Sequence, residues 1–174
     1  SGGPDGALNG ACVMVGGKLE VFTRVEDLFK TISLPDGYAF FEGPGAGHFV
    51  KVVHNGIEYG MMQAIAEGFD IMRSNPDYEL ELKKVANVYN HGSVIESRLM
   101  QWMEDAFHQF GDNLDSISGS AGQGGGGAGE VGKSEAAWTV DVAHEFGVDD
   151  EVIHEALTAR EESRDEPSYQ GKII

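Results

Sequence analysis

Lys51, Asn55 and Glu58 are spaced to stand on one stripe of a helix. At 3.6 residues per turn they fall within an arc of roughly 60°, while Phe49, Val52, Val53 and Ile57 cover the other side. A lysine in such apolar company is costly unless paired or neutral, and that lability suits it to proton transfer. A lysine base and a separate carboxyl acid can divide proton work between them. The same spacing also fits a structural Lys51–Glu58 ion pair two turns apart with Asn55 beside it. The three residues alone leave both readings open.

Their surroundings are more specific. The run Gly-His-Phe-Val-Lys-Val-Val-His-Asn-Gly-Ile-Glu-Tyr-Gly at 47–60 closely resembles the central signature of the decarboxylating 6-phosphogluconate dehydrogenases of the pentose phosphate pathway. Ser1-Gly2-Gly3-Pro4-Asp5-Gly6-Ala7, followed by Val13-Met14-Val15-Gly16-Gly17, is similar to that family's substrate-contacting Ser-Gly-Gly turn and the strand after it. Tyr89-Asn90-His91-Gly92-Ser93-Val94-Ile95 and Trp138-Thr139-Val140 follow in the family's order. The resemblance spans the chain and is nearest to the shorter branch of the family.

The resemblance implies an enzyme that oxidatively decarboxylates 6-phosphogluconate to ribulose 5-phosphate for gluconate utilization, using NADP or NAD. Lys51 would accept the proton of the substrate's 3-hydroxyl during oxidation at C3, and its protonated form would stabilise the carbonyl as carbon dioxide leaves. Glu58 would protonate C1 of the enediol. Ser1, Gly2 and Gly3 would line the carboxylate and hydroxyl side, His54 and Asn55 would orient the substrate, and Tyr59 would contact its phosphate. Lys133 and Arg98 complete the expected phosphate side. Glu96 stands where the longer branch places an arginine, and Glu135 where a threonine is expected. A β-hydroxyacid dehydrogenase of the 3-hydroxyisobutyrate type shares much of the helix; the His54-Asn55-Gly56 and Glu58-Tyr59 sequences favour the decarboxylating enzyme. A non-catalytic helical dimerisation fragment is the reading from a different class.

The resemblance also implies that the chain is part of a longer protein. Residues 1–43 are expected to be the C-terminal remnant of a dinucleotide-binding domain, and 44–174 an all-α substrate-binding and dimerisation domain. No strand, Gly-x-Gly-x-x-Gly turn and helix occur in sequence here, so the cofactor would be bound mainly outside this chain and the chain alone is expected to be inactive. The end at Gly171-Lys172-Ile173-Ile174 likewise stops short of an expected tail reaching a neighbouring subunit, so both ends look truncated and a homodimer is expected.

Composition bears on partners and compartment. The net charge of −17, with 29 acidic residues against 12 Lys plus Arg among 174, argues against a nucleic-acid partner, which needs clustered cations. Such an excess reads as a solvated surface. Cys12 is the only cysteine, and with neither a signal peptide nor a long apolar span the chain fits the cytoplasm without membrane attachment. The sequence nominates no metal ligands.

The positioning elements follow from periodicity. A strand is expected at Ala11–Val15, a helix bearing Val21, Val25, Leu28, Phe29 and Ile32, a Pro35-Asp36-Gly37 turn, and a short edge strand at Tyr38–Phe41. One long central helix is expected from about His48 to Arg73, then helices at Leu80–Tyr89, Val94–Phe110, Ala136–Phe146 and Asp150–Glu162. The fold class is therefore mainly α and bundle-like around that helix, after a short α/β piece. Met100, Trp102, Met103 and Phe107 read as core or dimer contacts. The glycine-rich loop 118–134 should be flexible. It ends in Gly127-Ala128-Gly129-Glu130-Val131-Gly132-Lys133-Ser134, which satisfies a phosphate-loop pattern but lacks the hydrophobic feeder strand that such a loop requires.

Overall fold

The computed structural model describes residues 1–121 and 134–174. The described residues form two compact units, Ser1–Asn55 and Gly56–Ile174. The sequence expectation divides the chain at 43/44, whereas the first unit retains the opening turns of the long helix.

The first unit contains α1 (Gly3–Asn9), β1 (Ala11–Gly17), α2 (Leu19–Ile32), β2 (Ser33–Glu42) and the start of α3 (Ala46–Arg73). Helix α1 falls where the sequence suggested only a turn. Pro4 at its start suits a helix, since the first amides lack partners in any case. Strands β1 and β2 pair in parallel, with Val13 opposite Tyr38 and Gly16 opposite Phe41. β2 is longer than the expected edge strand because its span includes the Pro35-Asp36-Gly37 turn. There Asp36 takes the left-handed conformation at φ 59°, and the register jumps between Ala11 and Val13. Helix α2 covers the sheet with Phe22, whose ring stacks on Phe40 at 4.8 Å and lies near Phe29. A second stripe of α2, formed by Val21, Val25, Leu28 and Ile32, is left exposed.

Helix α3 can begin where it does because Gly47 lies against β1. A Cβ there would sit 2.6 Å from the Gly16 nitrogen and closer still to the Met14 carbonyl oxygen, both backbone atoms that cannot step aside.

In the second unit the remainder of α3 is joined by α4 (Leu82–Tyr89), α5 (Arg98–Phe110), α6 (Glu135–Phe146), α7 (Glu151–Asp165) and α8 (Tyr169–Ile173). Phe69, Leu82, Ala86, Met100, Met103, Phe107 and Leu114 make one apolar cluster. Met100, Met103 and Phe107 are thus core, while Trp102 is 43% exposed. Tyr59, Ala136, Val140, Ala156 and Leu157 make a second cluster.

Local hydrogen bonding explains the helix boundaries. Helix α5 starts four residues later than its apolar pattern suggests. Ser97 Oγ accepts from the Met100 amide at 3.2 Å, and Glu96 turns back to accept from the Gly92 amide at 2.7 Å, holding 92–96 as a turn. Asp112 caps α4 from a distance in sequence, accepting from the amides of Leu82 and Lys83. Glu104, buried among the helices, accepts from Asn87 at 2.7 Å and Asn90 at 3.0 Å. These two bonds hold its carboxyl below the usual glutamate range. Helix α8, unanticipated from sequence, is capped by Ser168 and held by Gln170, which donates to Asp70 and pairs with Gln63.

Most of the glycine-rich loop, all of the phosphate-loop match except Ser134, and Lys133 lie outside the described residues. Among the described residues no helix is long and apolar enough to cross a membrane.

Candidate functional site

Lys51 sits half-buried on the second turn of α3, and its Nζ donates to Asn55 Oδ1, one turn on. Asn55 is 4% exposed, so its amide oxygen needs such partners. His54 Nδ1 lies 3.0 Å from the same oxygen and 3.4 Å from Lys51 Nζ, while its Nε2 lies 3.3 Å from Ser1 Oγ. A proton on Nδ1 lets His54 donate to Asn55 Oδ1 and accept the Ser1 hydroxyl at Nε2, whereas a proton on Nε2 lets it donate to Ser1 Oγ and leaves Nδ1 to accept from Lys51. Asn55 Oδ1 receives Lys51 in either case, so the lysine is aimed by a fixed acceptor.

Ser1 reaches this group because its nitrogen and carbonyl bond to Cys12 at 2.6 and 3.0 Å, which ties the start of the chain to β1. Gly2 follows at φ 118° and Gly3 at φ 59°, and α1 begins there. The Ser-Gly-Gly turn and the lysine helix are thus joined within the first unit.

Glu58 and Tyr59 occupy the next turns of the same helix, in the second unit. Tyr59 is 7% exposed, and the guanidinium carbon of Arg160, on α7, lies 4.4 Å from its ring centroid. Burial pushes the Tyr59 phenol up from its ordinary pKa, against Arg160 and a hydrogen bond with Ser134 that pull it down. Burial lowers the pKa of Arg160, while Tyr59 and Glu58 act in the opposite direction. Arg160 also donates to the Ile174 carbonyl at 2.9 Å. A cation 6% exposed beside Glu58 and Tyr59 was missed from sequence, although Ala156, Arg160 and Ser163 share one buried helical stripe.

Thr139 explains the Trp138-Thr139-Val140 motif. Its side chain fills the space a Cβ at Gly56 would need, with contacts of 2.6 to 2.9 Å. The glycine therefore admits α6 against α3. Gly60 similarly faces Val152, whereas nothing lies within 4 Å of a Cβ at Gly68.

Not every expected residue joins these groups. Arg98 is exposed at the start of α5. Glu96 serves the Gly92 turn, and Glu135 opens α6 beneath Tyr59, where its charge raises the phenol's pKa. The apolar side of α3 is not uniformly covered: Phe49 is 46% and Ile57 53% exposed, while Asn55 is buried. A cleft of about 410 Å³ in the second unit, lined by Met61, Ile65, Phe69, Tyr89, Ile95 and Met100 among others, is largely apolar.

The family description "6-phosphogluconate dehydrogenase, C-terminal domain" matches residues 47–170. Over 176 residues the chain is 41% identical to YqeC of Bacillus subtilis, covering all of this chain and 55% of that protein. It is 35% identical over 174 residues to the NAD(+)-dependent, decarboxylating 6-phosphogluconate dehydrogenase of Haloferax volcanii, covering 99% of this chain and 55% of that one. Among solved structures it is similar to Plasmodium falciparum 6-phosphogluconate dehydrogenase, described in apo form, with its cofactor NADP+ and with its substrate 6-phosphogluconate. That similarity has a TM-score of 0.73 and 28% identity over 87% of this chain and 32% of that chain. The chain spans about half the length of the first two relatives. With a match across 47–170 and relatives aligned over nearly its whole length, the chain belongs to the 6-phosphogluconate dehydrogenase family.

Proposed function

We propose that the chain is the substrate-binding and dimerisation part of an NAD(P)-dependent oxidoreductase that converts 6-phosphogluconate to ribulose 5-phosphate and carbon dioxide. The observation that carries this reading is the hydrogen-bonded group of Ser1, Lys51, His54 and Asn55 in the first unit, which brings the Ser-Gly-Gly turn to the lysine helix.

In this reading Lys51 takes the proton of the 3-hydroxyl. Asn55 Oδ1 fixes where the amine points, so the proton transfer starts from one geometry. Once protonated, Lys51 opposes the charge that develops on the C3 carbonyl oxygen as the C1–C2 carboxylate bond breaks. Glu58 then donates a proton to C1 of the enediol. Ser1, Gly2, Gly3, His54 and Asn55 line the sugar-acid end. Tyr59, with its ring covered by Arg160, takes the phosphate end. A nicotinamide dinucleotide would supply the oxidant at C3. The described residues do not fit its cradle, since the turn after β1 reads Gly16-Gly17-Lys18 and opens no Gly-x-Gly-x-x-Gly loop.

Residues 1–43 are proposed as the end of the dinucleotide-binding domain, because the exposed Val21, Val25, Leu28 and Ile32 stripe is the kind of surface such a domain covers. A cytoplasmic homodimer is proposed for the second unit. Ile57, Met61 and Trp102 support it, as apolar side chains left 42 to 53% exposed.

The test is an assay of a protein carrying both this chain and a dinucleotide-binding domain. With 6-phosphogluconate it is expected to reduce the nicotinamide and release carbon dioxide in equal amounts. Reduction with 3-hydroxyisobutyrate but not 6-phosphogluconate would assign the chain to the related β-hydroxyacid enzymes instead.

A further inference from the structure

We propose that His144, Asp150 and His154 form a binding site for one divalent metal ion of the zinc class at the junction of α6 and α7. Each offers a ligand atom, and those atoms lie within 4.8 Å of one another. Two imidazoles and one carboxylate are a donor set that suits zinc, cobalt or nickel and gives little to calcium or magnesium, which prefer several oxygens.

The backbone fixes all three positions. His144 stands in the last turn of α6, which closes on Gly147 in the left-handed conformation at φ 63°. The Gly147 amide bonds to the His144 carbonyl at 3.2 Å, and the Val148 amide to Ala143 at 2.9 Å. This pair of bonds ends a helix firmly. Asp150 is the residue preceding α7, and His154 follows one turn later with its amide on the Asp150 carbonyl at 2.9 Å. The two histidine rings are 6.3 Å apart, and His144 Nε2 is 3.7 Å from Asp150 Oδ1.

A second observation points to a ligand. The Asp150 side chain is 13% exposed, and its Oδ2 is buried without a hydrogen-bond partner. A carboxylate oxygen left so is costly. The carboxylate's other oxygen, Oδ1, faces His144, and a cation held between the carboxylate and the two imidazoles would compensate its buried charge. Both histidines are exposed, which leaves a coordination position open to solvent.

The ion would tie together the ends of the two helices that carry Thr139 and Arg160, so its role is to hold that pair of helices. This inference rests on the second unit's geometry and not on the catalytic reading.

The test is calorimetric titration of zinc chloride into the chain after treatment with a chelator, followed by cobalt(II) substitution and visible spectroscopy. One ion per chain is expected, with cobalt d–d bands in the visible and no displacement by equal calcium or magnesium. His154→Ala and Asp150→Asn should each weaken binding by at least about 100-fold, while His108→Ala, on α5, should leave it unchanged. Far-UV circular dichroism confirms that each variant is folded, and His144→Ala provides a third removal if one is not. Absence of a one-to-one isotherm, or an isotherm equally strong in His154→Ala and Asp150→Asn, would overturn the proposal.

Discussion

Lys51→Met, in a protein carrying both this chain and a dinucleotide-binding domain, is expected to lose nicotinamide reduction and ribulose 5-phosphate release together. The loss should be about 10²–10⁴-fold, the usual contribution of a positioned proton acceptor. The two signals fall together because the proton leaves the 3-hydroxyl before carbon dioxide can depart. The fold should tolerate the change: His54 Nδ1 lies 3.0 Å from Asn55 Oδ1, so the Nδ1–H tautomer can supply the donor that the lysine gave. Lys51→Arg separates charge from proton transfer. It keeps a cation able to reach Asn55, yet a guanidinium does not give up its proton in a protein. Steady-state rates and product analysis should find Lys51→Arg as inactive as Lys51→Met, and recovery in the arginine variant would reduce Lys51 to a fixed charge.

Gly47→Ala is expected to destabilise the first unit by about 3 kcal/mol, at the upper end of overpacking costs. Its Cβ would meet the Gly16 nitrogen at 2.6 Å and the Met14 carbonyl carbon at 2.9 Å. Relief requires moving β1 or lifting the start of α3, because no flexible side chain stands there to give way. Lifting α3 would carry Lys51 away from Ser1. Gly68→Ala is the matched comparison, since its Cβ meets nothing within 4 Å. It should stabilise the helix by about 0.5–1 kcal/mol. Urea denaturation monitored by circular dichroism should move the two midpoints in opposite directions. Equal midpoints would mean that the Gly47 contact relaxes without cost.

Much of this architecture is legible in the residues, and the parts that are not have physical reasons. Helix α3 and its Lys51, Asn55 and Glu58 stripe follow from periodicity, because every residue that places them lies within a few turns. The start of α5 is obscured because Val94 and Ile95 continue an apolar pattern, while the decisive bonds belong to Glu96 and Ser97. Helix α8 is too short for a periodic signal, and its hold on α3 through Gln170 spans 100 residues or more.

Arg160 is hidden for a related reason. An arginine on an amphipathic helix is ordinarily at the surface, and only packing against Tyr59 makes it a buried cation. His144, Asp150 and His154 come together only through the turn after α6, a spacing that matches no simple ligand motif. The exposed Phe49 and Ile57 show the converse: apolar periodicity marks a surface to be covered, but not which part of the protein covers it.

A single-turnover experiment on Glu58→Gln separates a division of proton work between Lys51 and Glu58 from a purely structural glutamate. Reduced cofactor and ribulose 5-phosphate are followed in the same reaction, in a protein with both domains. Glutamine keeps the size of the side chain and removes the proton that C1 requires. First-turnover formation of reduced cofactor should survive, while ribulose 5-phosphate release slows by about 10²–10⁴-fold. Equal loss of both signals would rule out that division and make Glu58 a structural partner of the residues around it.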